Sequence, residues 1–595
     1  MTERPIRIAN FSGYLGDRYT AFAEAMAGDA VDVLMGDYLA EITLAALAAR
    51  NQQDSTKGYV EYFLGQLGPH LGAIAERGVK VVTNAGGFNP AGLADAVRGL
   101  AAEAGVNLRV AHVEGDNVLL ALPGYQHAGH RLENLDTGQP LSSWHAEPVA
   151  ANAYLGGWGI AAALAEGADI VVCGRVTDAS LTVGPAAWWH GWSRDDWDAL
   201  AGAVTAGHVI ECGAHATGGN FSGYTTIPGL LAPGFPIAEI AADGSSVITK
   251  HSRDGGAVTV DTVTAQLVYE IQGPRYLNPD VTVHLDTVEL MRVGPDRVRV
   301  SGATGTPPPP TTKVAVFGML GYQLVNTVFV TAPDVDAKID LLRAQIGRGL
   351  PDGVELDFTR IGTVAADPDI QWDATVALRI MATARDRASL EKLGLPGRLL
   401  GLYLQSIPGF YHDGAAGLPG SPRRRIDYWP ALLPMSAVEH RVVLDARVLT
   451  VEPSPSAQPP PQPVHPEPAE YVVEGPVRRA PLGTIAHARS GDKGGNANVG
   501  VWVADERAWP WLRATLSTAE LRRLLPEAKD LDIVRHEFPH LRAVHFVLRG
   551  LLGTGGSANL RVDQAGKAVG EYLRAKHVLV PEHLLQRREG THVAD

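Results

Sequence analysis

Across its first 180 residues the chain alternates short apolar runs with longer helical patterns, and this alternation constrains the fold more than any other feature. Alternating strands and helices are typical of a parallel sheet covered by helices. The pattern predicts strands at 6–9, 31–35, 79–83, 108–113 and 169–173, and helices at 90–104 and 152–166. We therefore predict an N-terminal doubly wound α/β domain.

Each predicted strand ends in polar or glycine-rich residues, namely NFSGYLGDR, GDY, NAGGFNP, EGDN and GRVTDAS. In open α/β sheets, ligands bind in a crevice outside the carboxyl ends of the strands. We therefore expect these segments to converge on one site.

The rest of the chain divides by composition. Strands rich in Val, Thr and Tyr follow residue 205 and predict an α+β middle region, in which PPPP at 307–310 forms a rigid connection between two strands. Half of the residues at 453–468 are proline, which predicts an extended, polyproline-like linker. The predicted units are 1–205, 206–450 as part of the same catalytic core, the linker 451–479, and a small C-terminal α+β domain at 480–595 with helices at 517–525 and 564–575.

Composition excludes several classes of protein. The formal net charge of −14 over 595 residues argues against a nucleic-acid surface, because phosphate neutralisation needs a basic face. Two cysteines supply neither a disulfide framework nor a cysteine-rich zinc module. No run reaches the roughly 18 apolar residues of a membrane helix. We expect a soluble, cytoplasmic protein that binds neither nucleic acid nor membrane.

The stretch HARSGDKGGNANVGVW at 487–502 carries more donors and glycines than an ordinary surface loop needs, and we predict a recognition loop between two strands. Alternatively, its charged side chains neutralise one another and its asparagines hold the loop against the core. The candidate substrate-binding residues are Arg489, Ser490, Asp492, Lys493, Asn496 and Asn498.

The loop NAGGFNP follows a predicted strand and opens a helix. Free N–H groups at a helix start bind anions, so Asn84, Gly86 and Gly87 are candidate substrate contacts, although the glycines alone also fit a tight turn. Neither the dinucleotide fingerprint G-x-G-x-x-G nor a phosphate-binding P-loop is present. NAD and ATP are therefore disfavoured, and no cofactor is expected.

Two further motifs supply catalytic candidates. In CGRVTDAS, Arg175 is predicted to hold a carboxylate or phosphate and Asp178 to move a proton, unless the two only pair to fix the loop.

In ECGAHATGGNFS, we predict Glu211 and His215 as acid–base residues. A Cys212–His215 nucleophile pair remains an alternative, whereas Cys173 fits a core residue. No histidine spacing indicates a metal. Backbone contacts to an oxyanion or phosphate are predicted at Gly218, Gly219 and Asn220.

Several of these strings carry a resemblance: NAGGFNP, CGRVTDASLTVGP, ECGAHATGGNFSGY, HARSGDKGGNANVGVW and LLGTGGSANLR. With them the chain resembles the acyclic terpene utilisation (AtuA-like) family over nearly its whole length. The resemblance implies a C-terminal ferredoxin-like domain and a role in the breakdown of citronellol and geraniol, whose isoprenoid acids are degraded as CoA thioesters. It implies no agreed set of catalytic residues.

Together, these observations predict an enzyme that acts on a small or branched acyl-CoA, or its free acid, by lyase or hydratase chemistry. In this hypothesis Glu211, His215 or Asp178 moves the proton, and the glycine loops stabilise a developing oxyanion. A homo-oligomer is expected. The alternative is a non-catalytic binding or assembly subunit of an acyl-CoA carboxylase system, and a nucleotide-dependent ligase is a third, disfavoured hypothesis.

Overall fold

The computed structural model describes residues 4–472, 475–555 and 558–585. Up to residue 210, the helices and strands in chain order are β1 (Ile6–Ser12), α1 (Ala21–Ala27), β2 (Val33–Gly36), α2 (Glu41–Gln53), α3 (Glu61–Leu67), α4 (Leu71–Arg77), β3 (Lys80–Thr83), α5 (Pro90–Glu103), β4 (Val110–Glu114), α6 (Leu122–His127), β5 (Glu147–Ala153), α7 (Trp158–Ala165), β6 (Ile170–Cys173), α8 (Ser180–His190) and α9 (Trp197–Ile210).

The chain continues to residue 450 with β7 (Pro236–Ile240), β8 (Ser246–Lys250), α10 (Val260–Leu267), β9 (Arg275–Leu277), β10 (Thr282–His284), β11 (Glu289–Gly294), β12 (Arg297–Ser301), β13 (Thr304–Thr306), β14 (Thr311–Thr331), α11 (Val335–Ile346), β15 (Glu355–Ile361), β16 (Thr375–Ala384), α12 (Arg387–Leu393), α13 (Leu395–Gly401), β17 (Phe410–Tyr411), β18 (Arg423–Pro434), β19 (Arg441–Leu444) and β20 (Arg447–Thr450). The C-terminal part contains β21 (Val477–Pro481), β22 (His487–Lys493), β23 (Asn496–Trp502), α14 (Trp509–Thr515), α15 (Thr518–Leu524), β24 (Ile533–Phe538), β25 (Ala543–Leu548), α16 (Val569–Arg574), β26 (His577–Pro581) and α17 (Glu582–Leu585).

The predicted parallel sheet is present and has the strand order β1-β2-β3-β6-β4. Its apolar side chains alternate between two cores, one on each face: Val171 packs in one, while Ile170 and Val172 pack in the other. Helices cover both faces, which explains why these strands read as continuous apolar runs. The predicted α/β fold class is confirmed.

Strands from the 206–450 segment extend this sheet on both sides. Antiparallel β7, β8, β12 and β11 continue it beyond β1, and β19 and β20 continue it beyond β4. A second sheet is built around the long strand β14, which pairs with β5, β16, β17 and β18. Residues before and after position 205 thus share one continuous sheet.

Two local predictions were wrong. The helix predicted at 152–166 begins only at Trp158, because Asn152 and Ala153 belong to β5 and pair with β14. The predicted loop at 487–502 is a hairpin, in which β22 and β23 are joined at Gly494 and Gly495. Its sequence alternates strictly: Val499 and Val501 lie in the C-terminal core, and Asn498 and Gly500 face the opposite side.

The C-terminal domain is a four-stranded antiparallel sheet of order β22-β23-β25-β24, with its helices packed on one face. Its other face lies against the N-terminal part of the same chain. Residues 451–472 form neither helix nor strand, as the proline content predicted. This tract is nevertheless anchored: the Gln462 side chain bonds both the N–H and the carbonyl of Arg275, at 2.9 and 2.8 Å. None of the described helices is both long and apolar enough to cross a bilayer.

Candidate functional site

The loops after β2 and β3 meet at the carboxyl edge of the parallel sheet. Asn84, fully buried, donates from its amide to Asp37 Oδ1 at 2.6 Å and accepts the Tyr38 N–H at 2.8 Å. Burial raises the pKa of Asp37 well above its usual range, and the charge of Asp178 adds to this effect. The convergence expected from the sequence therefore exists, and within it the Asn84 side chain binds the protein.

Arg175 and Asp178 form an ion pair after β6. Arg175 is 3 % exposed, donates to Asp178 Oδ1 at 2.6 Å and to the Leu39 carbonyl at 3.1 Å, and stacks 4.2 Å from the centre of the Tyr154 ring. The Asp178 side chain keeps 34 % of its surface accessible. The arginine is fixed in the wall, and the carboxylate faces open space.

Glu211 lies directly after α9 and is almost buried. Its Oε1 is 3.1 Å from His208 Nδ1, and its Oε2 has no hydrogen-bond partner among the described residues. Burial raises the pKa of Glu211 against the opposing effect of His208, and Asp178 raises it further. Glu211 thus combines a supported oxygen, a free oxygen and an elevated pKa, which suit a group that accepts and returns a proton.

His215 and Cys212 lie in the turn after Glu211 and are less suited to acid–base or nucleophilic chemistry. Arg489 donates to His215 Nδ1 at 2.9 Å, and burial together with this guanidinium lowers the pKa of His215 to about 3. The ring is therefore neutral at physiological pH. Both of its nitrogens already have partners, Arg489 at Nδ1 and the Asn220 amide 2.8 Å from Nε2. Burial and the charge of Glu211 raise the pKa of the Cys212 thiol well above its usual range, which keeps it protonated.

The glycine loops use their N–H groups within the protein. Gly86 donates to the Cys173 carbonyl at 3.0 Å and Gly87 to the Asn84 carbonyl at 3.2 Å. Likewise Gly218 donates to the His215 carbonyl at 3.2 Å and Gly219 to the Ala214 carbonyl at 2.8 Å. A Cβ on Gly86 would lie 2.5 Å from the Cys173 oxygen, so close backbone approach explains this glycine. Their predicted substrate contacts stay predictions.

Three polar residues of the C-terminal hairpin bind the protein itself. Ser490 donates to the Lys567 carbonyl at 3.1 Å and accepts the Gly570 N–H at 2.9 Å. Asn496 donates to Asp136 at 2.6 Å. Asn498 donates to the Val268 carbonyl at 3.0 Å and accepts the Glu270 N–H at 3.2 Å. The Ser490 bonds hold the hairpin within the C-terminal domain, and the Asn496 and Asn498 bonds fasten it to the N-terminal part of its own chain.

Two charged residues of the hairpin, Asp492 and Lys493, instead face the crevice at the carboxyl ends of the parallel strands. Asp492 lies 3.1 Å from Lys567, which also pairs with Glu270. Burial, with the charge of Glu270, raises the pKa of Asp492 to about 6. Lys493 Nζ lies 5.9 Å from the centre of the Tyr276 ring and, within the described part of the chain, has neither an ion pair nor a hydrogen bond. Lys493 is thus available to an anionic ligand.

Several residues of this region belong to no motif in the sequence and were not predicted. Lys313 of β14 lies 3.4 Å from Glu41. Burial alone would raise the pKa of Glu41, but Lys313 and Arg175 overcome it and lower that pKa to about 2. The other missed residues are Glu270, Tyr276 and Lys567. The one sequence feature that could have indicated a role for Lys313 is its place directly before the apolar run VAVF in β14.

Charge–charge effects link these groups into one partly exposed cluster at the carboxyl ends of the parallel strands, which we call the chamber. Its members are Glu41, Asp178, Glu211, Glu270, Tyr276, Lys313, Asp492 and Lys493. Their charges act on one another across domains: Lys493 lowers the pKa of Glu41, Glu211 and Glu270. The side chains of Glu41, Lys313 and Asp492 keep 33, 26 and 27 % of their surface accessible although several segments enclose them. Among the described residues, no group of three or more potential ligands could hold a metal ion.

Fold and site together define an α/β protein with a charged chamber at the carboxyl ends of its parallel strands, closed by a ferredoxin-like domain of the same chain. The chain belongs to the acyclic terpene utilisation family, AtuA, whose model matches residues 6–444. The AtuA ferredoxin-like domain matches residues 480–579. No curated protein and no solved structure gives a significant match.

Proposed function

We propose that the protein is a cytoplasmic enzyme of acyclic terpene or branched-acid breakdown that binds the acyl end of a small or branched acyl-CoA, or of its free acid, in the chamber. Membership of the AtuA family supports a role in acyclic terpene utilisation. The reaction we propose is of the lyase or hydratase type.

One observation carries this proposal. Glu211 Oε2 and the Lys493 ammonium both belong to the chamber, and neither has a hydrogen-bond partner among the described residues. Glu211 is buried, and buried polar groups are normally paired because an unpaired one costs about 1–3 kcal/mol; the partly buried Lys493 ammonium supplies a charge without an ion-pair partner in the part of the chain that the structure describes. A ligand that offers a carboxylate or thioester oxygen to Lys493 and a C–H or O–H group to Glu211 would satisfy both.

This arrangement supports proton transfer next to a carbonyl group. In the dehydration of a 3-hydroxyacyl substrate, Glu211 takes the proton from the carbon beside the carbonyl, and the electron pair moves onto the carbonyl oxygen, where Lys493 stabilises it; hydration runs through the same steps in reverse. Collapse of that enolate expels the hydroxyl from the next carbon, and a protonated carboxyl group converts the hydroxyl into water. Asp492, with a pKa of about 6, suits that second role.

The test is exchange of the α-proton with solvent deuterium, followed by mass spectrometry and NMR for a panel of branched enoyl, 3-hydroxyacyl and saturated acyl thioesters and their free acids. We expect the wild type to exchange at least one substrate class and Glu211→Gln to lose that exchange by two orders of magnitude or more. Glu391→Gln, on an exposed helix and 53 % accessible, is the matched control and should exchange normally.

Two results would contradict the proposal. Full exchange by a folded Glu211→Gln protein would remove Glu211 from the mechanism. Binding of thioesters with no exchange or turnover by the wild type would favour the assembly-subunit alternative, which size-exclusion chromatography with an acyl-CoA carboxylase would then examine.

A further inference from the structure

The end of helix α9 places a second titratable residue directly behind Glu211. His208 and Glu211 are three residues apart, so their side chains lie on the same face of the helix. His208 Nδ1 is 3.1 Å from Glu211 Oε1, and the His208 residue is 1 % exposed. The histidine is therefore shielded from solvent and lies behind Glu211.

Two other contacts fix this pair. The Tyr276 ring covers the His208 ring, with 5.2 Å between their centres. Asn10 donates from its amide to the Glu211 carbonyl at 3.1 Å, which holds the backbone at the end of α9. Glu211 Oε1 is thus supported from behind, while Oε2 stays without a partner among the described residues.

We propose that His208 is a positioning residue that donates its Nδ1–H to Glu211 Oε1 and thereby keeps the free Oε2 ionised and directed at the substrate. This inference rests on the proposed function for the role of Glu211 as the proton acceptor. The contact between His208 and Glu211 does not depend on that function. His208 is not among the site residues predicted from the sequence.

Several groups act on Glu211 from the elements packed around it. Asp178 from the loop after β6 favours the protonated form, and the Lys493 ammonium from the hairpin favours the carboxylate. Asp37, after β2, also interacts with Glu211, and Tyr276 lies beside it from β9. Burial and two carboxyl groups favour the protonated form of Glu211, whereas Lys493 and the contact with His208 favour the carboxylate, so loss of the His208 donor should raise the pKa of Glu211.

The experiment compares His208→Asn with His208→Leu. Asparagine places an amide N–H where Nδ1 lies, whereas leucine fills a similar volume without a donor. The carboxyl titration of Glu211 is followed by ¹³C NMR on protein labelled at the glutamate side-chain carboxyls, and the signal is assigned by its loss in Glu211→Gln. Should His208→Leu fail to fold, His208→Gln replaces it, because its amide sits at the Nε2 position and does not reach Oε1.

We expect the donor-free variant to titrate at least one pH unit higher than the wild type, a tenfold shift in the ratio of the two forms, and His208→Asn to restore the wild-type value. Titration within 0.3 unit of wild type in the donor-free variant would overturn the proposal and leave His208 as packing alone. Because this readout needs no substrate, it separates failure of this inference from failure of the proposed reaction.

Discussion

We predict that two buried histidines in the C-terminal sheet lower the stability of the protein in acid. His536 and His545 are 2 and 0 % exposed, and their rings stack 6.2 Å apart on β24 and β25. Burial, reinforced by His465, lowers the pKa of His536 to about 4, and burial with the charge of His536 lowers that of His545 to about 3. Both rings lie where the C-terminal domain meets the linker and residues 268–273.

The sign of the effect follows from proton linkage. The unfolded chain binds protons at these histidines below a pKa of about 6.5, whereas the folded protein does so only below about 4 and 3. Stability is therefore fully present above about pH 7 and falls as the pH decreases towards 4. At pH 5 each histidine therefore lowers the free energy of unfolding by about 2 kcal/mol relative to pH 8. The pair lowers it by about 4 kcal/mol.

The assay is urea unfolding at pH 8 and pH 5 at constant ionic strength, for the wild type and for His536→Gln/His545→Gln. Glutamine at 545 can accept the Asn498 amide N–H, now 3.2 Å from His545 Nε2, and glutamine at 536 can donate to the neighbouring carbonyls. The double variant should lose about 4 kcal/mol less between the two pH values, since other buried histidines contribute equally to both proteins. An identical loss in both would refute the reasoning.

Two predictions concern the docking of the C-terminal domain. Asn498→Leu removes the bonds to Val268 and Glu270 and leaves a buried carbonyl and N–H unpaired, so we expect a loss of about 3 kcal/mol of unfolding free energy in urea; a loss below about 0.5 kcal/mol would contradict this. Gly500→Ala would place a Cβ 2.4 Å from Val268 Cγ2, which we expect to cost about 1–3 kcal/mol and to increase proteolysis of the 451–472 tract. Unchanged stability and cleavage would show that this face is not packed as described.

The sequence predicted the sheet well because its strands are buried on both faces and end in glycine or polar residues. It failed at 152–166 because an apolar run such as AANAYLGG fits a strand or a helix, and only the partner strand β14 decides between them. It failed at 487–502 because the polar face of the hairpin packs against Val268 and Tyr269, which lie more than 200 residues away.

Some of the residues predicted for the site lie in the charged chamber, and their roles stay predictions. Arg175 and Asp178 follow strand β6, Glu211 follows helix α9, and Lys493 is the last residue of β22, and all four belong to or support the chamber. Glu41, Glu270, Tyr276, Lys313 and Lys567 carry no motif, because the chamber is assembled from segments far apart in sequence. Several glycine and asparagine residues predicted as ligand contacts also serve close backbone approach and domain docking within the protein.

The central claim is that the C-terminal domain supplies Lys493 to the anionic group of a ligand held in the chamber. The most direct measurement is isothermal titration calorimetry of branched acyl thioesters and their free acids with the wild type, Lys493→Met and the control Lys529→Met, whose lysine side chain is 71 % exposed. We predict at least tenfold weaker binding for Lys493→Met and wild-type binding for Lys529→Met. Equal affinity of the wild type and a folded Lys493→Met protein would contradict the account.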